Sequence, residues 1–510
     1  MTEILLQRRS LLGLFLGGVA AAAMPQSLIA AHAAASAADG LVRAWPEDFG
    51  VSPSAILAFL DDVAAQGYEL HGFMLARRGH VLAEGWWAPY RADRNHMTHS
   101  LTKSVTATAV GMAIAEDRFK LDDRVVSFFP DKLPEKVSDN LAAMTVRDLL
   151  AMKTGHASMT SGSVWRPIKT SWVAEFFKIP VEFPPGTKWV YTSAATYMLS
   201  AIITKTTGQP LEEYLRPRFF EPLGIAGYAW DMGPDNINPG ANGLSWKTVD
   251  SLKLGILHQQ YGQWNGKQLL PREWVEQVQH PHTPGKYGWQ WWRAPDDVPA
   301  YLADGLFEQY SVVFPKHDAV IAVNAAIPSR SRFEYMLFKH FPAAFGDEVG
   351  KDEKNLSKLV KRLKNLEVAS FEPSEPSPIV PHVSGKTYKA LENTDDIKSV
   401  RFEFSGGTCV YSLEDANGTH TVEVGLVEPI EGNTSMPGRA LHHEYAPASM
   451  RVVASGFWQD DRTFVMSWAF VESAFRDTVV CQFNGANVRI DRSVNVNSAA
   501  TSLPALKARL

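Results

Sequence analysis

With 510 residues the chain is long enough for two or three domains, each with a proper core. Its 45% hydrophobic and 21% charged content is ordinary for a globular protein, and a net charge of −5 with a pI near 6.3 gives no reason to expect nucleic-acid binding. There is no Gly-rich phosphate loop and no Cys/His cluster at metal spacing, so neither cofactor nor metal is expected. His280-Pro281-His282 and His442-His443-Glu444 read as surface loops, because matching ligands at helical spacing are missing.

At the N-terminus, Gln7-Arg8-Arg9-Ser10-Leu11-Leu12-Gly13 resembles a twin-arginine export signal. The apolar run behind it, residues 14–24, is too short to span a bilayer comfortably, and small-x-small sites such as Ala35-Ser36-Ala37 come after it. Residues 1–38 are therefore expected to be a signal peptide. The protein would be exported, already folded, to the periplasm or the medium of a bacterium, with no stable membrane insertion after cleavage. An uncleaved anchor is the alternative.

Pro53-Ser54-Ala55-Ile56-Leu57-Ala58-Phe59-Leu60 begins a helix, and residues 71–85 read as two strands around a tight Arg78-Gly79 turn. His99-Ser100-Leu101-Thr102-Lys103-Ser104 then leads into small and apolar residues 105–115 without proline, a buried helix. Residues three apart share a helical face, so Ser100 and Lys103 can touch. An alcohol is a poor nucleophile until a base takes its proton, and burial lowers a lysine's pKa enough to free its amine for that task. Ser-x-x-Lys alone arises by chance in a chain this size, with the serine a plain cap and the lysine solvated; the pattern gains meaning only if residues elsewhere in the chain can relay the proton and receive the developing charge.

Thr145-Val146-Arg147-Asp148 is a capping box opening a helix that ends near Met152. Lys153-Thr154-Gly155 behind it reads as that helix's end, with Gly155 the cap residue. Residues 158–185 are irregular and rich in aromatics, a loop that lines a pocket or fills a core. Tyr191-Thr192-Ser193 precedes another helix and lies 88 residues past Lys103 (191 − 103). A tyrosine beside a lysine ammonium loses its proton more easily or relays one, so Tyr191 is a candidate shuttle from Ser100 to the leaving group, and Ser193 a partner for Lys103 or substrate. Trp264-Asn265-Gly266-Lys267 is a small hairpin with an Asn-Gly turn. Residues 287–292, 309–314 and 319–323 are three strands, and a helix over residues 334–341 closes the domain. In Ala303-Asp304-Gly305-Leu306-Phe307-Glu308-Gln309, Gly305 lets substrate approach the backbone, and the N–H of Leu306 joins that of Ser100 as a candidate oxyanion hole.

Residues 351–366 are a charged helix-like segment, and Glu372-Pro373-Ser374-Glu375-Pro376-Ser377-Pro378 is a stiff linker. Evenly spaced strands come next, with turns such as Gly406-Gly407 and Asn484-Gly485, the pattern of a small barrel-like all-β domain. Cys409 and Cys481 both fall in strand-like runs, either as a disulfide or as two buried thiols. The expected organisation is a signal at 1–38, an α+β domain at 39–348, the helix and linker at 349–385, the β domain at 386–495 and a tail at 496–510.

Residues 41–345 resemble the serine β-lactamase-related, penicillin-recognising hydrolases, in the branch of class C β-lactamases, family VIII esterases and 6-aminohexanoate-dimer hydrolases. The resemblance rests on the Ser100 and Tyr191 stretches and on Leu149-Leu150-Ala151-Met152-Lys153-Thr154-Gly155, Phe220-Glu221-Pro222-Leu223-Gly224-Ile225, Trp264-Asn265-Gly266-Lys267 and Tyr287-Gly288-Trp289-Gln290-Trp291-Trp292. It implies a sandwich of antiparallel sheet and helical cluster, an acyl-enzyme on Ser100, and Lys103 and Tyr191 as base and proton relay, with the base left open between them. The chain departs from the family pattern in three ways. Ser193 replaces the usual asparagine, Ala303-Asp304-Gly305 replaces the Lys-Thr-Gly or His-x-Gly strand motif, and Glu308 stands where relatives mostly carry glycine. Asp304 and Glu308 favour a cationic substrate end; alternatively they point to solvent or pair with an arginine. Two functions remain in play: an exported hydrolase of small-molecule or peptide amides or esters, and a non-catalytic penicillin-binding-like sensor or envelope-binding protein.

Overall fold

The computed structural model describes residues 39–510 apart from 161, 284, 285, 296, 329, 330 and 370; the expected signal at 1–38 lies outside the described residues. An eight-stranded sheet forms the spine of the first domain, in the order Val42–Arg43, His80–Trp86, Leu70–Arg77, Ala319–Ala325, Gln309–Phe314, Tyr301–Gly305, Trp291–Arg293, Tyr287–Gly288. All neighbours are antiparallel except the first pair. The long central strands are apolar on both sides (every residue of Leu70–Arg77, Gln309–Phe314 and Ala319–Ala325 is buried), because helices cover both faces.

One face packs on the helices Pro53–Ala65, Phe333–His340 and Glu353–Lys364. The last of these was expected in the connection; instead Leu359, Leu363 and Leu366 dock it on the first domain. The other face carries the larger core, built around Thr102–Ala115, Ser193–Thr207 and Thr248–Gln259. Thr102–Ala115 is buried from Thr102 to Ala113, so it has no amphipathic stripe; it is a core helix held on every side. Gly111 is its point of closest approach, where an added Cβ would lie 2.6 Å from the Trp274 ring.

Residues 287–292, expected as one strand, are two strands joined by a tight turn at Trp289 and Gln290, both with positive φ. Gly155 does not cap the preceding helix. That helix ends at Leu150 with Met152 in the left-handed region, and Gly155 serves a close crossing where an added Cβ would stand 2.1 Å from the Phe183 carbonyl oxygen.

The C-terminal domain is a ten-stranded sheet, antiparallel except where the parallel pairing of Gly425 with Ser455 closes nine of its strands into a barrel; Ile430–Thr434 is the extra strand. The segment expected as a tail supplies Leu506–Arg509, inserted between Lys386–Ala390 and Asn487–Val494. Without it the barrel would carry two open edges. Cys409 and Cys481 are free, buried thiols of this core. Phe307 and Ala326 of the first domain belong to the same apolar cluster, and Arg476 pairs with Glu69 at 2.6 Å, so the barrel sits directly against the region of Ser100.

Candidate active site

Ser100 lies in a single 3-10 turn, His99–Leu101, that runs into Thr102–Ala115. The turn is held from below: Thr98 Oγ1 donates to the Leu244 carbonyl at 2.7 Å, and Thr102 Oγ1 to that of His99 at 2.7 Å. His99, just before the serine, takes φ 47°, in the left-handed region that few residues other than glycine adopt. Ser100 remains half-buried, facing two cavities.

One helical turn on, Lys103 is 2% exposed, with Nζ 3.0 Å from Ser100 Oγ, 3.3 Å from Ser193 Oγ and 3.0 Å from the Ala241 carbonyl oxygen. Burial brings its pKa down to about 7, against a small opposing pull from Asp304. As an ammonium it donates to all three oxygens; as a neutral amine it keeps two donors, and its lone pair is free to face the Ser100 hydroxyl.

Tyr191 lines both cavities with Ser100, its phenol within reach of a hydrogen bond from the serine hydroxyl, and its ring centroid lies 5.0 Å from Lys103 Nζ. The expectation that it ionises easily is reversed. Burial pushes its pKa up, Asp304 pushes the same way, and the Ser100 hydrogen bond only partly offsets them. At neutral pH the pair is thus a partly neutral amine and a protonated phenol.

Asp304 and Gly305 end the strand Tyr301–Gly305 alongside the serine turn. A Cβ on Gly305 would lie 2.1 Å from the Thr98 carbonyl oxygen and 3.2 Å from Leu101 N, which leaves no room for any other residue. Leu306 lines both cavities with Ser100. The tight connection has Phe307 and Glu308 at positive φ, and a buried amide pins it: Gln309 Nε2 donates to the carbonyls of Phe307 at 3.0 Å and Ala325 at 2.7 Å, while its Oε1 accepts from Asn324. Lys153 lines neither cavity at Ser100.

One cavity, of about 330 Å³, is acidic: Asp304, Glu308 and Glu334 line it with Ser100, Tyr191 and Trp292. Among the described residues none of these carboxyls pairs with an arginine. Burial and mutual repulsion push Asp304 up to about 7 and Glu308 to about 8, and burial also raises Glu334. Glu308 keeps one oxygen, Oε2, buried without a partner among the described residues. An acid with a raised folded-state pKa destabilises the fold at pH above that pKa, and the penalty fades as pH falls toward the unfolded value. Replacing Glu308 by Gln is therefore expected to raise the melting temperature by about 1–3 °C at pH 9 and by less at pH 5.5, read by thermal unfolding. A drop at pH 9 would mean the carboxylate is satisfied in a way this geometry lacks.

The other cavity, of about 240 Å³, is lined by Ser100, Tyr191, Ser193 and Arg166, and also by His443, Tyr445 and Ser498 of the C-terminal domain. His443, expected on a surface loop, stands with its ring 6.2 Å from that of His99. His442 is buried instead, bonded to Asp477 at 2.8 Å. Sequence reasoning missed Glu334, Arg166 and the three barrel residues. All five reach the serine through long-range contacts that no local pattern announces.

A family model described as Beta-lactamase matches residues 60–336. Among curated proteins, esterase EstB of Burkholderia gladioli is 26% identical over 208 residues, covering 35% of this chain and 53% of that protein. Lovastatin esterase of Penicillium rubens is 26% identical over 202 residues, covering 35% of this chain and 49% of that protein. The chain thus spans about half the length of these relatives. A D-stereospecific amidohydrolase from a Streptomyces species superposes with a TM-score of 0.47 at 18% identity, over 57% of this chain and 99% of that one.

Proposed function

The chain belongs to the beta-lactamase family, and from that premise we propose that it is a serine hydrolase that cleaves an amide or ester bond in a small molecule or short oligomer carrying a cationic amine, through an acyl-enzyme on Ser100. The observation that carries this reading is the Ser100 hydroxyl 3.0 Å from an amine that burial has brought to a pKa of about 7, with a protonated phenol lining the same cavities.

In the proposed reaction neutral Lys103 takes the Ser100 proton as Oγ attacks the substrate carbonyl. The backbone N–H groups of Ser100 and Leu306 receive the developing oxyanion. Tyr191 passes a proton to the leaving nitrogen or oxygen as its bond to the carbonyl carbon breaks, and the Lys103 ammonium returns its proton to the phenolate, so that amine and phenol are both restored. Water then attacks the acyl-enzyme, giving its proton to the neutral Lys103 amine, which hands it to Ser100 Oγ as the acid leaves. Ser193 holds Lys103 in place. Asp304 and Glu308, with Glu334, attract a substrate ammonium toward the acidic cavity, beside the Trp292 ring. Export along the twin-arginine route, into the periplasm or medium, belongs to the same reading and rests on Gln7-Arg8-Arg9-Ser10.

The test uses two pairs of chromogenic substrates, one with a primary amine on the acyl side and one with it on the leaving group, each compared with its N-acetyl counterpart. At pH 8.5 one of the free amines is expected to show kcat/KM about tenfold or more above its acetylated partner, worth about 1.4 kcal/mol. That ratio is expected to shrink below pH 7 as Asp304 and Glu308 take up protons, and to shrink in Glu308→Gln. Equal rates in both pairs would remove the amine from the proposal. Labelling of Ser100 by a fluorescent phosphonate with no turnover of any substrate would favour the sensor.

A further inference from the structure

The cavity shared with the barrel adjoins a larger chamber of about 510 Å³, and Arg166, Ser193, Asp231, Asn242 and Tyr445 line both. The chamber's inner wall is aromatic. Trp165, Trp172 and Tyr197 pack ring against ring, with centroids 5.4–6.0 Å apart. Tyr197 is only 2% exposed, yet its hydroxyl is buried with no hydrogen-bond partner among the described residues. A buried donor left unmade is costly, and this one belongs to the wall of an open chamber, where a bound molecule can accept from it.

Arg166 stands where the two spaces meet. Its Nη1 donates to the His443 carbonyl at 3.3 Å, and its guanidinium carbon lies 5.6 Å from the Tyr445 ring centroid. Both supports come from one loop of the C-terminal domain, and both are electrically neutral. Among the described residues no carboxylate lies within ion-pair distance of Arg166, so most of its fork of donors is uncommitted. Asp231 is the one carboxyl among the residues lining either space, and burial pushes it up from the usual carboxylate range while Arg166 pulls it back. Lys169 adds a second cation at the chamber.

We propose that Arg166 receives a carboxylate of the substrate, whose apolar portion lies against Trp165, Trp172 and Tyr445, and that the C-terminal barrel is a specificity-determining part of the active site through His443 and Tyr445. The meaning of this as a substrate site rests on the hydrolase reading above. Taken with the acidic cavity it makes the preferred substrate bipolar, with an ammonium group and a carboxylate on either side of the cleaved bond. Arg166 is suited to the anion because a planar fork held by a ring face and a carbonyl has little orientational freedom left to lose on binding.

The test measures binding rather than turnover, on the full chain carrying Ser100→Ala, with 3-phenylpropionate and its neutral analogue 3-phenylpropionamide as probes followed by ligand-observed NMR titration. The acid is expected to bind about tenfold or more tighter than the amide. Adding Arg166→Gln is expected to bring the ratio close to one, and adding Tyr445→Ala to weaken both probes several-fold. Because the acid-to-amide ratio is taken within one protein, partial loss of folded material cancels from it. A ratio near one in the Ser100→Ala parent, a ratio untouched by Arg166→Gln, or no binding of either probe would overturn the carboxylate site. Affinities untouched by Tyr445→Ala would overturn the role of the barrel. Phosphonate labelling of the unmodified chain reports separately on the hydrolase reading, so the two can fail independently.

Discussion

Replacing Ser100 by alanine is expected to lower kcat/KM on every substrate by about 10⁴-fold or more and to abolish labelling by a fluorescent phosphonate, while the melting temperature stays within about 2 °C of the parent. The size of the loss reflects the groups that remain. Lys103, Tyr191 and the N–H groups of Ser100 and Leu306 would still surround a bound carbonyl, but none supplies an atom to carry the acyl group, and water at Ser100 would be neither fixed nor deprotonated in line. Groups that act as a unit lose nearly everything with the first deletion. The fold does not depend on the hydroxyl: Ser100 is half-buried at a turn held by Thr98 and Thr102, and its one bond to Lys103 leaves that amine two other oxygen partners. Rates above about one hundredth of the parent in Ser100→Ala, on material of confirmed sequence, would move the nucleophile elsewhere and take the acyl-enzyme with it.

The part of this site that could be read in the sequence is the part written in local spacing. Ser100 and Lys103 meet because three residues make nearly one helical turn. Gly305 stood out as a place for substrate to approach the backbone, whereas what its missing side chain makes room for is the Thr98 carbonyl of the serine turn. The turn at Trp289 and Gln290 was hidden for the opposite reason. Neither residue is one that favours positive φ, and a run this rich in aromatics imitates a strand. Strand Leu506–Arg509 did carry a period-two signal, with Leu506 and Ala508 buried and Lys507 and Arg509 exposed, but four residues at a chain end are too few to separate from a tail. His443, Tyr445 and Ser498 were beyond reach altogether. Their place beside Ser100 is set by how a barrel that begins only at Lys386 docks, through Phe307, Ala326 and the Glu69–Arg476 pair, and no spacing rule encodes that.

Lys103→Met is expected to lower kcat/KM by about 10³-fold or more, and the parent enzyme's kcat/KM is expected to rise with pH through a midpoint near 7. The sign is set by the role. An ammonium has no lone pair to accept the Ser100 proton, so activity belongs to the deprotonated amine and grows as pH climbs. Asp304 complicates the limb because it titrates near the same pH and its charge holds Lys103 up, so the observed midpoint belongs to the pair. Asp304→Asn removes the partner and is expected to move the limb to lower pH. A pH-independent rate between about pH 5.5 and 8.5, or a shift upward in Asp304→Asn, would deny Lys103 the role of base. Stability provides an independent check, because the substitution that removes activity is expected to raise it. Because the folded-state pKa of Lys103 lies below its unfolded value of about 10.5, the unfolded chain binds more protons between pH 7 and 10.5, and the fold gains stability as pH rises across that window. The inactive Lys103→Met chain, freed of a buried amine, is therefore expected to melt above the parent at pH 6.5, with the gap closing as pH approaches 10.5. A dead variant that is also the more stable one separates loss of the base from loss of the fold.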